Sequence, residues 1–192
     1  MTTSPLLSNE KIELLLTQQP ISDRHPWVTC DEAVIDDYLR NACDAIERTT
    51  GARSHIEWGH YGSGYASFVD AWFYKDTPEF DVARPRPLWE SHVGLVVLLS
   101  RLSPYFVFME GEKHWHLREQ GSYLPAFDML DRLENKGVQQ LAKDVQPVLE
   151  SYGLARATRI ELSDSLPPGT YVPTILNDRG HTQFDALFYW ED

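Results

Sequence analysis

Glu110, Glu112, His114 and His116 fall at alternate positions in the stretch MEGEKHWHL, Met109 to Leu117. On a β-strand, alternate side chains project to one face. Two carboxylates and two imidazoles on one face form a potential ligand set for a transition metal. They are also what a solvated sheet face carries. Metal-bound histidines need oriented partners behind them, and Glu119 is the only further acid close by in sequence. Neither a metal nor another cofactor is therefore expected. An enzyme with a scattered, metal-dependent site near Glu110–His116 stands as an alternative.

Other chemistries find less support. The spacing H-x-H with Glu119 differs from the cupin metal motif, which needs five residues between its glycine and first histidine. Gly111 and His114 have two between them, and no second half-motif follows Pro167. No G-x-S-x-G or H-E-x-x-H pattern occurs. His25, His55, His60, His92 and His181 are scattered. Gly59, Gly62 and Gly64 lie in HYGSGY, where a strand and not a helix is expected to follow, so they read as turn glycines rather than a phosphate loop. Cys30 and Cys43 both fall in one expected helix, 13 residues apart, which is about 20 Å. A disulfide needs Cα atoms within about 7 Å, so both thiols should be free and a reducing compartment fits.

Binding is better supported. The chain carries 29 acidic and 17 basic residues, a net charge of −12. Such a surface repels nucleic acid and anionic lipid and favours a cationic partner. Six tryptophans are many for 192 residues. Trp58 and Trp72 sit among apolar neighbours and belong to the core. Trp115 lies between two histidines, opposite the Glu/His face, and Trp190 directly precedes Glu191 and Asp192. Exposed aromatics ringed by acids suit a basic protein partner. The candidate partner-binding residues are Glu110, Glu112 and Trp115, with Trp190, Glu191 and Asp192 as a second patch. The first patch requires a hairpin tip or bulge, because Trp115 and the glutamates otherwise face opposite ways.

The elements that position these residues are legible from periodicity. Ser8 to Gln18 is a short helix with Ser8 as N-cap. TCDEAVIDDYLRNACDAIERTTG has the T-x-x-E capping spacing at Thr29 and Glu32, an apolar stripe, and Gly51 beyond its end. Residues 53–60 and 65–74 read as strands, the second apolar on both faces except at Asp70. Residues 88–102 suit helix or strand, with Val93, Val96 and Val97 favouring strand and a turn at Leu102–Pro104. LPAFDMLDRLE and GVQQLAKDVQPVLESYG read as helices, the second kinked at Pro147. A strand over Phe184–Trp190 closes the chain. The expected fold is α+β: one domain over residues 1–192, with an antiparallel sheet of about five or six strands and helices packed mainly on one face. MTTSPLLSNEKIELLLTQQP lacks a basic leader and its apolar run is broken by Glu13, so a cytoplasmic protein is expected.

Taken together, the −12 charge, FYWED, YFVFMEGEKHWH and the size resemble the cytoplasmic immunity proteins of bacterial polymorphic toxin systems. The resemblance implies an α+β protein that binds and neutralises a cognate, basic protein toxin without chemistry of its own. It carries no functional residues over, since no defined motif is matched. A phage or mobile-element inhibitor of a host nucleic-acid-binding protein is the remaining alternative.

Overall fold

The computed structural model describes residues 5–62, 64–82, 90–115, 120–178 and 180–192. Helix α1 (Asn9–Leu16) opens at Ser8, whose hydroxyl accepts the Lys11 N–H. Helix α2 (Glu32–Thr50) opens two residues later than the T-x-x-E spacing suggests. Asp31 is the N-cap and accepts the Ala33 N–H, while the Thr29 hydroxyl accepts the Asp31 N–H in the preceding turn. Aspartate is among the strongest caps, and it displaces the weaker threonine. Ile35, Leu39, Ala42, Cys43 and Ile46 form the buried stripe, and Gly51 ends the helix at φ 69°. Cys30 therefore lies ahead of the helix, exposed; Cys43 is inside it, buried, and both are free thiols.

The strands are β1 (Arg53–Glu57), β2 (Tyr65–Ala66), β3 (Phe68–Tyr74), β4 (Glu90–Ser100), β5 (Tyr105–Trp115), β6 (Gln120–Ser122), β7 (Ala155–Arg156) and β8 (Trp190–Glu191). The main sheet has the order β1-β3-β4-β5-β6, antiparallel throughout, and β7 joins the start of β5 in parallel. A second, two-stranded ribbon pairs β2 with β8. Helix α3 (Lys136–Ser151) packs against α2 and against β4. A glutamate of α2, Glu47, accepts from Ser54 on β1, and the start of α3 is tied to β5 through Glu110. The fold is α+β, and the two long helices cover one face of an antiparallel sheet. No helix among the described residues is long and apolar enough to cross a membrane.

Residues 90–100 are strand, as their valines favour. Leu88 and Trp89 lie outside the described residues. Four expectations need correction. Strand β1 stops at Glu57, because His60 and Tyr61 turn back in a short 3₁₀ turn at positive φ. The next strand breaks at Ser67, whose hydroxyl donates to Leu187 O and accepts the Tyr189 N–H, so backbone polar groups there serve the C-terminal segment. LPAFDMLDRLE holds only a 3₁₀ turn, Phe127–Met129: Asp131 adopts φ 58° and donates its N–H to Phe108 O of β5. Residues 184–187 are helical rather than extended. They belong to α4 (Gln183–Leu187), closed by reciprocal bonds between Thr182 and Asp185. Helix α3 carries Pro147 inside it and runs on to Ser151.

The sheet is strongly curled. Three strand spacings separate β1 from β5, about 14 Å in a flat sheet, yet the His55 and Trp115 rings lie 4.7 Å apart across the concave face. Two glycines admit the rings that fill it. Gly94 and Gly111 are paired across β4 and β5. A Cβ at Gly94 would fall 2.5 Å from the Trp72 ring, and one at Gly111 would fall 2.3 Å from Tyr123. Trp72 also donates its indole N–H to Gly111 O at 2.9 Å.

Two outcomes follow from this packing. Gly111→Ala should lose about 1–3 kcal/mol to overpacking, read as a lower urea midpoint, whereas Gly180→Ala, with open space at its Cβ, should stay within about 0.5 kcal/mol of the parent. Equal effects would show that the ring contacts do not constrain the sheet. Cys30 should react with a thiol reagent in the native protein, while Cys43, whose thiol burial pushes far up, should react only after unfolding. Two fast thiols, or none, would place α2 wrongly.

Candidate functional site

The concave face gathers the unusual chemistry. The strand register puts Asp70, Trp72 and Tyr74 of β3 on the same face as His55 and Glu57 of β1, His92 of β4, and Lys113 and Trp115 of β5. Asp70 is 3% exposed. Its two oxygens accept the hydroxyls of Tyr61, at 2.7 Å, and Tyr123, at 2.6 Å. Burial raises the Asp70 carboxyl above its ordinary value; the Tyr123 and Tyr61 hydrogen bonds and the Lys113 charge pull it back. Burial likewise pushes both phenols up, and the Asp70 charge adds to it. The Lys113 ammonium lies 5.0 Å from the Tyr123 ring centre and donates to the Ser122 hydroxyl at 3.2 Å.

Where the curl brings β1 towards β5 and β6, an open cleft of about 280 Å³ remains. His55, Glu57, Lys113, His114, Trp115 and Ser122 line it. Behind Trp115 stand Trp72, at 5.7 Å, and His92, at 6.1 Å between ring centres. His92 stacks on Tyr74, with the Asp81 and Glu90 carboxylates 3.1 and 3.2 Å from its two nitrogens. Burial, then Lys113, lowers the His55 imidazole. Glu57 Oε1 accepts the N–H groups of Gly59 and Tyr61, which fixes this carboxylate at the cleft. The cleft thus offers one fixed anion, one cation, two imidazoles and an indole.

The residues singled out from sequence are distributed differently. Glu110 Oε2 accepts the N–H groups of Glu134 and Asn135, at 2.9 and 2.8 Å, just ahead of α3. This carboxylate satisfies the backbone of a helix entrance, a structural use. Strand β5 stays in continuous register with β4 through Trp115, so Glu110 and Glu112 share one face and Trp115 takes the other. With neither bulge nor tip there, the first patch is not assembled on one surface. His116 and Glu119 lie outside the described residues. Among the described residues no three His, Cys, Asp or Glu side chains converge as a metal site.

The second patch is brought together. Trp190 packs its ring 4.4 Å from Tyr61, Glu191 pairs with Tyr65 across the β2–β8 ribbon, and Asp192 is exposed. Beside them Ile175 is 54% exposed and donates its N–H to Trp190 O. Beneath this patch is a buried charge that sequence reading passed over. Arg101, 1% exposed, pairs with Asp36 through Nε and Nη2 at 2.8 and 3.1 Å, and donates to the carbonyls of Trp58, Ala66 and Phe68. Its one sequence signal is an arginine at the end of an apolar run. His60 completes the group: Nε2 faces Glu32 at 2.9 Å and Nδ1 accepts the Ala66 N–H. With both ring nitrogens committed, His60 is not placed to activate Cys30, which shares a small cavity with Glu32, Tyr65 and Arg101.

No family model, curated protein or solved structure matches this chain.

The Asp70 site generates a pH test. A carboxyl raised in the folded state holds a proton that the unfolded chain has already released. Its stabilising contribution is therefore full below the ordinary carboxylate range and is lost as pH rises through the folded value. Asp70→Asn, which cannot ionise, should remove that loss. In urea unfolding from acid to neutral pH, the stability gap should move in the variant's favour as pH rises. A gap independent of pH would show that Asp70 does not titrate in this way.

Proposed function

We propose that this is a cytoplasmic immunity-type protein that binds and neutralises a basic protein toxin through its C-terminal acidic–aromatic face. The observation that carries the reading is the run Trp190, Glu191 and Asp192, with the exposed Ile175 hydrogen-bonded to the Trp190 carbonyl, on a chain with net charge −12. Acids cluster there beyond the sequence neighbours. Tyr65, paired with Glu191, has its hydroxyl raised first by burial, then by Glu32, with Glu191 and Asp36 adding. Several of the cations are turned inward meanwhile: Arg101 pairs with Asp36, Arg156 with Asp131, and Lys113 stands in the cleft. These pairs withdraw acids and bases in equal number, so the net charge of −12 is left to the remaining surface, which suits steering of a basic partner. A half-buried tryptophan beside an exposed isoleucine supplies the apolar anchor that such interfaces use.

This reading predicts separate roles for charge and anchor. Association with the basic partner should slow as salt screens the field beyond about 8–10 Å, and Glu191→Gln with Asp192→Asn should slow it at low salt. Trp190→Ala should instead speed dissociation, weakening binding by at least ~2 kcal/mol, about 30-fold. Because Trp190 also packs on Tyr61, the exposed Ile175→Ser serves as the second anchor variant. The measurement is a salt series of association and dissociation rates against the toxin-domain protein encoded beside this gene or captured from the native lysate. A salt-independent association rate, or an acidic partner, would end the reading.

A further inference from the structure

We propose that the cleft at the open side of the curled sheet is a binding site for a small zwitterion, an α-amino acid with an apolar or aromatic side chain. This site is separate from the C-terminal face and does not depend on the toxin-binding reading. Three features of the cleft specify the ligand.

The first is the presence of two opposite charges in the lining. Glu57 is fixed by the Gly59 and Tyr61 N–H groups at its Oε1, at 2.7 and 3.2 Å. It lines the same opening as the Lys113 ammonium. An ammonium has three N–H donors, and Ser122 takes one of those on Lys113. A ligand ammonium at Glu57 and a ligand carboxylate at Lys113 and Ser122 would satisfy both. A nucleotide would bring surplus negative charge to a chain already at −12, and a simple cation would leave Lys113 opposed.

The second feature is the wall. Trp115 and His55 pack on each other at one wall of the cleft, their ring centres 4.7 Å apart, and the Trp115 ring also packs near Trp72, Tyr74 and His92. A flat, rigid, apolar surface of this kind binds a side chain without ordering cost. The third is size. At about 280 Å³ the cleft sits at the small end of ligand pockets, which run from roughly 300 Å³ upward. An amino acid fits that scale and a dinucleotide does not. The same charges explain why a half-buried lysine is kept on the concave side of a strand whose Val107 and Met109 are buried and apolar. Removing Lys113 would also strip a counter-charge from Asp70.

The test titrates the full chain, ¹⁵N-labelled, with L-tryptophan and L-phenylalanine, following the Trp115 indole and the His55 and Ser122 amides by NMR. Tryptamine and indole-3-propionate, each lacking one of the two charges, are the controls. L-Tryptophan should shift those signals saturably, and each single-charge analogue should bind at least about tenfold more weakly. Glu57→Gln should erase the preference over indole-3-propionate, and Lys113→Met the preference over tryptamine. The comparison of analogues on the parent protein stands even if a variant misfolds. No saturable shift with either amino acid at millimolar concentration overturns the proposal. So does equal binding of the analogues, or shifts confined to residues away from the cleft.

Discussion

Burying a carboxylate in the middle of a β-strand costs several kcal/mol unless donors meet it, and Asp70 is met by two tyrosine hydroxyls from opposite margins of the sheet. Tyr61 follows β1, one edge of the sheet; Tyr123 follows β6, the other. Tyr61 is close at hand, since β1 lies beside β3 and Glu57 pairs with Asp70, but Tyr123, three strands away, can reach Asp70 only if the sheet rolls up. The polar requirement of one side chain therefore fixes the curvature. That curvature brings His55 to Trp115, leaves the cleft between β1 and β6, and gives Gly94 and Gly111 their reason. A flat sheet of the same strands would leave Asp70 unpaired on an apolar face.

Arg101 plays the corresponding part at the start of β3, two residues before Asp70. A guanidinium has five N–H donors, and here they reach Asp36 on α2 and the carbonyls of Trp58, Ala66 and Phe68. One buried cation thereby ties α2 to the connection after β1 and to the break between β2 and β3. Asp36 and the carbonyls replace the water that the arginine lost, which is the condition for a buried charge to be tolerated. Replacing either partner alone would strand the other.

Strong periodicity was legible in the sequence, and local competition was not. The stripe of α2 and the Gly51 terminus follow from spacing; β4 does not, since its spacing suits helix as well as strand and only its β-branched valines tip it to strand. Where polar side chains decide, the reading failed. Pattern showed an Asp at position 70 but no partners, because Tyr61 and Tyr123 lie 9 and 53 residues away. Glu110 looked like a surface acid for the same reason: the N–H groups it satisfies belong to Glu134 and Asn135. The α4 error was avoidable, since T-x-x-D at Thr182 and Asp185 is a capping spacing as plain as the one at Thr29. The expected 124–134 helix failed because the Asp131 N–H serves β5 instead.

The contacts of α1 carry a consequence for vectorial synthesis. The Leu7 N–H is accepted by the Gln183 side chain, 176 positions later, and the Leu15 carbonyl accepts the Tyr189 hydroxyl, 174 positions later. Ile12 and Leu15, buried in the finished fold, lack this cover while the ribosome works through the sheet and both long helices. Contacts of such sequence separation are the slowest to form. Helix α1 thus docks only after the segment that covers it has been made, and until then its apolar side is a surface that a chaperone could hold.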